Sequence, residues 1–443
     1  MHGVPKFVAL AAAALTLITL AGCTSTPTPT ASASAACEPA KGKVTLNYWS
    51  WIPGIDKAVD KFNATHPKIH VNLKTVVSAS AYQNLFNALK AKNAPDLAMI
   101  EYASLPSFRL QDGLTDISGC KPVANLKKEV APWTYNQVTL GTKALYATPT
   151  DVAPLAMYYR KDIFTKYGIA VPTTWAQYEE AGKELKAKNP SIALTSFSSG
   201  DAGLLLSLGW QNGARPFGYS GEKVVLDMTS PAMTKVADYW QNLVDEKLVN
   251  TDLQIFSPQQ YAAWNNGTIA TSIGAVWQSA VMESGAPGAK GDWAVAPLPQ
   301  WTAGGSASAN YGGATTAVIA GTRHPYEASV FADWMSTSKT AGPFIYAAGG
   351  LLAANHGSTD AEIQAPQAYF GGQQIFAEFE KASRNIDTGF SWAPDQTNVN
   401  NYLSDAVVKS LAGNGTLADA LGATQQKAVA DLTSQSIEVT VKH

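Results

Sequence analysis

Residues 44–73, VTLNYWSWIPGIDKAVDKFNATHPKIHVNL, decide the fold class of this chain. The run 44–49 is rich in β-forming residues, and residues 54–64 then place apolar side chains at helical spacing until Pro67 ends the helix. Residues 69–73 alternate apolar and polar side chains, which is typical of a second strand. A strand, a helix and a strand in this order predict a βαβ unit.

The same alternation continues along the chain. Residues 80–83 (SAYQ) have a capping-box pattern that predicts a second helix, and residues 96–101 (DLAMIE) predict a third strand. A second capping-box pattern lies at 174–177, and residues 231–249 form a long amphipathic helix. These elements predict an α/β protein with a mainly parallel sheet and helices on both faces.

Composition and charge narrow the class of protein. The chain has 443 residues, of which 46% are hydrophobic and 15% charged, so it is long and apolar enough to fold as a globular protein of two to three domains. Lys plus Arg is 32 and Asp plus Glu is 34, which gives a formal charge of −2. This balance argues against a nucleic-acid partner, because nucleic-acid binding rests on an excess of basic residues.

The N-terminus has the pattern of an export signal. Residues 7–20 are apolar and uncharged but shorter than the roughly 20 residues that span a bilayer. They end in LAGC at 20–23, which resembles the lipobox of bacterial lipoproteins and makes Cys23 the lipidated residue. We therefore expect a signal peptide at 1–22, a flexible tether of Thr, Ser, Pro and Ala at 23–37, and an extracytoplasmic protein anchored to the cell membrane by lipid.

Two further cysteines, Cys37 and Cys120, remain in the mature chain. Outside the cytoplasm an even number of cysteines favours a disulfide. Cys37 lies just before the first strand and Cys120 after a loop, so we expect both near the surface and favour a bridge between them.

No sequence motif supports catalysis. The chain has no G-x-S-x-G, G-x-x-x-x-G-K-[ST], G-x-G-x-x-G or H-E-x-x-H pattern. Its six His residues are scattered and form no cluster of zinc ligands. We therefore predict no catalytic residue, no metal and no cofactor, although one sequence cannot show whether two carboxylates face each other as in a glycosidase.

The aromatic residues suggest a sugar site, because the C–H faces of sugars stack on flat rings and their hydroxyls bind planar polar groups. Ligands of open α/β sheets lie at the carboxyl ends of strands. Candidates follow predicted strands or lie at the break at 148–151, which we interpret as a crossing between lobes: Ser50, Trp51, Glu101, Tyr102, Asp151 and Trp277. Other tryptophans are interpreted as core residues: Trp49, Trp175, Trp240 and Trp334.

Several blocks of the chain together resemble family 1 extracellular solute-binding proteins, the sugar-binding subunits of ABC importers. The first is the stretch 44–73. The others, in the order and spacing of that family, are APDL at 94–97, QDGLTDI at 111–117, LYATP at 145–149, MYYRKDIF at 157–164 and PTTW at 172–175.

The resemblance implies a two-lobe, hinged, periplasmic-binding-protein-like fold of type II with a ligand cleft between the lobes. By analogy, lobe 1 takes residues 38–149 and 311–364, and lobe 2 takes residues 150–310 and 365–443. It implies a monomer that binds a mono- or oligosaccharide and delivers it, chemically unaltered, to a membrane permease.

The resemblance also assigns ligand contacts. It supports the six candidates above and adds a glycine turn that re-enters the first lobe, at Tyr311, Gly312 and Gly313. Two tryptophans in loop-like stretches, Trp210 and Trp392, are further candidates.

Two other functions stay open at this point. One is a lipid-anchored carbohydrate-active enzyme, which requires an acid pair across the cleft. The other is a receptor of the same fold for a metal ion, a polyamine or a phosphorylated polyol. A cation requires a ring of acids, and a phosphate requires Arg or Lys with helix N-termini.

Overall fold

A computed structural model of the protein describes residues 37–220, 223–347, 351–355 and 360–442. The predicted signal peptide, the lipidation site at Cys23 and residues 23–36 of the predicted tether lie outside these ranges. Within the ranges, no helix combines the length and the apolar character that a membrane crossing requires.

Short strands alternate with helices along the described chain. The strands are β1 (Val44–Ser50), β2 (Ile69–Thr75), β3 (Leu97–Glu101), β4 (Ala147–Pro149), β5 (Asp151–Val152), β6 (Leu155–Arg160), β7 (Thr195–Ser196), β8 (Phe217–Ser220), β9 (Lys223–Leu226), β10 (Val249–Asn250), β11 (Thr271–Ala275), β12 (Trp293–Ala296), β13 (Ala314–Val318), β14 (Leu352–Ala353) and β15 (Val439–Val441). The α-helices are α1 (Asp56–Thr65), α2 (Ser78–Lys90), α3 (Leu105–Leu110), α4 (Leu126–Glu129), α5 (Pro132–Thr139), α6 (Lys161–Tyr167), α7 (Trp175–Lys188), α8 (Ala202–Gln211), α9 (Pro231–Asp245), α10 (Pro258–Asn266), α11 (Gln278–Gly285), α12 (Pro325–Thr337), α13 (Gly342–Ala347), α14 (Asp360–Ile363), α15 (Ile375–Ser383), α16 (Gln396–Leu411) and α17 (Leu417–Ser434).

The first sheet has the strand order β2-β1-β3-β13-β4. β1 pairs in parallel with β2 and β3, as the βαβ pattern predicts. β13 instead runs antiparallel to both β3 and β4, so the prediction of a mainly parallel sheet is wrong on this side. The reason is that β13 reaches the sheet through a loop, without the crossover helix that parallel pairing needs.

The second sheet, in the order β11-β6-β12, is antiparallel throughout. Residues 150–154 carry the chain from β4 to β6, and residues 309–313 carry it back to β13. The fully buried Asn310 ties these two crossings together. Its Oδ1 accepts a hydrogen bond of 2.8 Å from the amide of Ala153, and its Nδ2 donates one of 2.6 Å to the carbonyl oxygen of Gly312.

The two predicted capping boxes have different outcomes. At the start of α7, the Thr174 hydroxyl accepts a hydrogen bond from the amide of Gln177, and the Gln177 side chain accepts one from the amide of Thr174. This capping box is confirmed. The box at Ser80 is wrong, because α2 begins at Ser78 and the Ser80 hydroxyl donates to the Val77 carbonyl oxygen inside the first turn.

The long amphipathic helix is shorter than predicted. α9 ends at Asp245 rather than at residue 249, because Lys247 adopts a left-handed φ of 53° and turns the chain toward β10. Of the tryptophans interpreted as core residues, two are fully buried, Trp175 and Trp240, and two are half-buried, Trp49 and Trp334.

A disulfide joins Cys37 to Cys120, whose Cα atoms lie 5.1 Å apart. This is the pairing that the even cysteine count favours. Cys120 is only 2% exposed, so its expected surface position is wrong. Its side chain instead belongs to the same apolar core cluster as Ile117 and Val123.

Candidate ligand-binding site

A cavity of about 720 Å³ is lined by residues that follow strands of both sheets. The first sheet contributes the segments after β1 and β3, and the second contributes the segment after β11. The crossing at 309–313 contributes a third part of the lining. This position matches the rule that open α/β sheets bind ligands at strand ends, and the volume lies in the range of roughly 300–1,000 Å³ that is usual for small-molecule sites.

The wall after β1 is formed by Trp51, Ile52 and Pro53. The Trp51 ring is half-buried and stands edge-on to Tyr82, with ring centroids 5.4 Å apart and an interplanar angle of 85°. This contact fixes the indole while leaving part of it open to the cavity. Trp49 lies two residues earlier but outside the cavity lining, with the Lys74 ammonium 4.2 Å from its ring centroid.

Two carboxylic acids lie in the same wall. The Tyr82 hydroxyl donates a hydrogen bond of 2.8 Å to Glu101 Oε2 and accepts one of 3.0 Å from the Glu101 amide. Burial raises the pKa of Glu101, and the hydrogen bond from Tyr82 offsets only part of that rise.

Asp151 is the more desolvated of the two acids that line the cavity. It is 2% exposed, and its Oδ2 has no hydrogen-bond partner. Burial raises the pKa of Asp151 to about 8, and the neighbouring charge of Glu101 adds to the rise. The carboxyl therefore presents an unsatisfied polar atom at the cavity wall.

The second sheet supplies an aromatic wall. Trp277 follows β11 and directly precedes α11, so its indole sits at the strand end. Its Nε1 donates a hydrogen bond of 2.9 Å to the carbonyl oxygen of Tyr311, and the two ring centroids lie 5.8 Å apart. Ala280, Val281 and Ser284 extend this wall along one face of α11.

The glycine turn at the crossing fits closely under these side chains. Gly312 and Gly313 have φ values of 91° and 75°, which other residues rarely adopt. A Cβ atom on Gly312 would lie 3.0 Å from Trp277 Nε1, and one on Gly313 would lie 3.1 Å from Tyr102 Cε2. Both positions therefore require glycine.

The Tyr311 hydroxyl donates a hydrogen bond to Asp201 at the start of α8. Burial raises the pKa of Asp201 to about 6, and the hydrogen bond from Tyr311 partly offsets this effect. Gly203, the second residue of α8, lets the Tyr311 ring approach, because a Cβ there would lie 3.0 Å from Tyr311 Cε2. These contacts hold Tyr311 between the crossing and α8.

The C-terminal region closes the cavity. Trp392 is 4% exposed, lines the cavity and leaves its Nε1 without a hydrogen-bond partner. Three polar residues of α16 also line it: Asn400, Asn401 and Ser404. These three were not predicted as contacts, although their spacing places them on one helix face.

Eight of the predicted contact residues line this cavity: Trp51, Glu101, Asp151, Trp277, Tyr311, Gly312, Gly313 and Trp392. The exposed Phe256 lines it as well and was not predicted.

Three predicted contact residues do not line the cavity and instead lie behind its wall. The fully buried Ser50 hydroxyl accepts a hydrogen bond of 3.3 Å from the amide of Ile52. The fully buried Tyr102 donates one of 3.1 Å to the Asp151 carbonyl oxygen. Trp210 stacks on Phe390 at 4.3 Å within the core. Successive residues at a strand end point to opposite faces, so only one residue of each pair 50–51 and 101–102 reaches the cavity.

The lining is acidic and aromatic. Among the described lining residues there is no Lys, Arg or His. In the part of the chain that the structure describes, no group of three His, Cys, Asp or Glu residues is arranged to hold a metal ion. The site therefore offers aromatic stacking surfaces, two carboxyl groups, and uncharged indole, amide and hydroxyl groups for hydrogen bonds.

Comparison with known proteins agrees with this architecture. The galacto-N-biose-/lacto-N-biose I-binding protein of an ABC transporter from Bifidobacterium longum, solved with lacto-N-biose, superposes with a TM-score of 0.80 at 26% identity, over 90% of this chain and 100% of that one. The ABC transporter associated binding protein from B. animalis subsp. lactis Bl-04, solved with β-1,6-galactobiose, gives 0.76 at 28% identity, over 89% and 99%. These likenesses confirm the predicted two-lobe fold.

Sequence comparison gives the same result. The lactose-binding protein of Rhizobium radiobacter is 26% identical over 359 residues, which is 76% of this chain and 81% of that protein. The family model for bacterial extracellular solute-binding proteins matches residues 48–342, well over half of the chain. The protein therefore belongs to the family of bacterial extracellular solute-binding proteins, which work outside the cytoplasm.

Proposed function

We propose that this protein is the carbohydrate-binding subunit of an ABC importer, which captures an uncharged mono- or oligosaccharide in its cavity and delivers it to a membrane permease. The relatives support this function, because they are binding proteins for lactose, lacto-N-biose and β-1,6-galactobiose. The chemistry of the cavity supports it independently.

The observation that carries the proposal is a pair of buried polar atoms without partners at an aromatic cavity. Asp151 Oδ2 is an acceptor and Trp392 Nε1 is a donor. Each orphaned buried group costs about 1–3 kcal/mol in the empty protein. A polyol has hydroxyls that can pair with the carboxyl group and accept a hydrogen bond from the indole, while the rings of Trp51 and Trp277 take its C–H faces.

The charge of the lining favours an uncharged ligand. Anionic sugars find no Lys or Arg to pair with among the described lining residues. A free metal ion requires more oxygen ligands than these two acids provide. The two acids lie on either side of Ala314. Ala314 pairs with Glu101 in the sheet, and its carbonyl oxygen accepts a hydrogen bond from the amide of Thr150, the residue before Asp151. The two acids therefore share one wall rather than face each other.

Capture follows from the two-lobe form. A sugar that touches both walls stabilises the closed arrangement more than the open one, so binding shifts the population toward closure. The strands support the proposed division into lobes: β1 to β4 and β13 share the first sheet, and β6, β11 and β12 share the second. The permease would then recognise the closed form.

We assign the membrane attachment to Cys23, followed by a tether at 23–37 that keeps the lobes clear of the lipid. Incorporation of a labelled fatty acid tests this assignment. The intact chain should take up the label and Cys23→Ser should not. Equal labelling of both would contradict the assignment.

A thermal-shift screen tests the proposed function. Neutral mono- and oligosaccharides are compared with glucuronate and a sugar phosphate. A bound sugar raises the unfolding temperature, because a ligand at 100 times its Kd stabilises the native state by about 2.7 kcal/mol. A shift with at least one neutral sugar and none with the anions is the expected result. A shift with the anions alone, or with no sugar, would contradict the proposal.

A further inference from the structure

Phe256 is an exposed aromatic at the mouth of the cavity. It lines the cavity and is 49% exposed. Among the described residues, the other large hydrophobic side chains with comparable exposure are valines: Val77, Val171 and Val408. An aromatic ring left half in water beside a ligand cavity is a surface to which a ligand can bind.

The backbone at Phe256 is fixed in an unfavourable conformation. Its φ of 58° lies in the left-handed region, which bulky residues rarely adopt. Its amide donates a hydrogen bond of 2.8 Å to Gln260 Oε1, and the amide of Gln260 donates one of 3.2 Å to the Ser257 hydroxyl. The N-terminal cap of α10 therefore holds the ring at the mouth against local strain, a pattern that is common at ligand sites.

The ring of Phe256 does not duplicate that of Trp277. Their centroids lie 5.8 Å apart, and their planes are inclined by 54°. One sugar ring cannot stack flat on two planes so inclined, so the two aromatics offer separate stacking surfaces. Val281 and Ser284, one turn apart on α11, continue the lining beside Trp277.

The unpartnered polar atoms lie elsewhere in the cavity, on Asp151 and Trp392. In the proposed function, the first sugar unit is the one whose hydroxyls approach these atoms. Phe256 is far more exposed than either of them, so a unit on its ring lies further out.

On the basis of the proposed sugar-binding function, we infer that Phe256 and the adjacent face of α11 form an outer subsite for a further sugar unit. The subsite takes a neutral pyranose or furanose through its C–H face. Phe256 thereby sets the preference for the length of the oligosaccharide. Gln260 is a positioning residue for Phe256, because its side chain accepts the hydrogen bond from the Phe256 amide.

The test uses substitutions that keep the site filled. Phe256→Leu retains apolar volume without a flat ring, and Phe256→Tyr retains the ring. Val171→Ala, at an exposed residue outside the cavity lining, is the control for a surface change. Calorimetric titrations use galacto-, malto- and arabino-oligosaccharides of one to four units.

In the wild type, affinity should rise with chain length at the step that occupies the outer subsite. Phe256→Leu should lower that gain by about three- to tenfold relative to the shortest sugar bound. Phe256→Tyr should restore the gain, and Val171→Ala should match the wild type at every length.

Three results overturn the inference. A wild type that binds no member of the three series contradicts the proposed function, and the subsite with it. A wild type that binds sugars without any gain in affinity with length contradicts the subsite alone. So does a loss in Phe256→Leu that is equal at every length or absent.

Discussion

The indole Nε1 of Trp277 donates a hydrogen bond of 2.9 Å to the carbonyl oxygen of Tyr311. Trp277 follows the strand β11 of the second sheet, whereas Tyr311 lies on the crossing that leads into the first sheet. A ring that can stack on a sugar is therefore bonded directly to the segment that leads from the second sheet to the first. This contact couples the position of the aromatic wall to the geometry of the crossing.

Trp51→Ala should weaken binding of a neutral oligosaccharide by about tenfold, which corresponds to roughly 1.4 kcal/mol. The reason is loss of a stacking surface in the cavity wall. Trp49→Ala is the matched control, because Trp49 is also half-buried and near the end of β1 but lies outside the lining. Calorimetry that gives equal losses for both variants would contradict the assignment.

Gly312→Ala should lower both stability and affinity. The left-handed backbone costs about 1–2 kcal/mol for alanine, and the new Cβ lies 3.0 Å from Trp277 Nε1. Gly304→Ala measures the cost of the left-handed backbone alone, because Gly304 has a φ of 78° and no atom lies within 4 Å of the added Cβ. Denaturation should show a loss of stability in both variants, and a larger one in Gly312→Ala because of the added contact with Trp277. Only Gly312→Ala should bind sugar more weakly, and retained affinity there would argue against the coupling.

Asp151→Asn should change the pH dependence of stability. The pKa of Asp151 is raised from 3.8 to about 8, so the folded state holds this proton more tightly than the unfolded state. Its contribution to stability is present at low pH and is lost as the pH rises from about 4 to about 8. The ligand-free variant should therefore be more stable than the wild type near pH 8, by an amount on the order of 2 kcal/mol. Unfolding curves that keep the same separation at pH 4 and pH 8 would contradict this.

Removal of the disulfide should lower stability without altering the site. Cys37 and Cys120 close a loop with a sequence separation of 83, so Cys37→Ser with Cys120→Ser should cost about 2–4 kcal/mol. Neither cysteine lines the cavity. Denaturant unfolding should show the loss, while calorimetry should give an unchanged sugar affinity. A large fall in affinity would mean that the bridge also shapes the cavity.

The local pattern of the chain predicted much of the fold and part of the site. The alternation in residues 44–73 predicted β1, α1 and β2, because the spacing of apolar residues reflects local geometry. It could not predict the antiparallel β13, which depends on how the chain returns from the second sheet.

The site residues likewise divide into those that local sequence predicts and those that depend on tertiary packing. Trp51 and Trp277 were predictable, because each follows a strand whose end is visible in the sequence. Trp210 does not line the cavity, because it lies in α8 and stacks on Phe390, a residue that is distant in the sequence. Phe256 and the polar face of α16 were missed, because only tertiary packing brings them to the cavity.

The central claim is that the cavity binds a neutral sugar and releases it unaltered. Calorimetric titration of the purified protein, with chromatography of the recovered glycan, tests it most directly. We expect one sugar bound per chain with a Kd near 1 μM, or about −8 kcal/mol, and an intact glycan after incubation. Absence of binding by every neutral sugar, or conversion of the glycan into products, would contradict it.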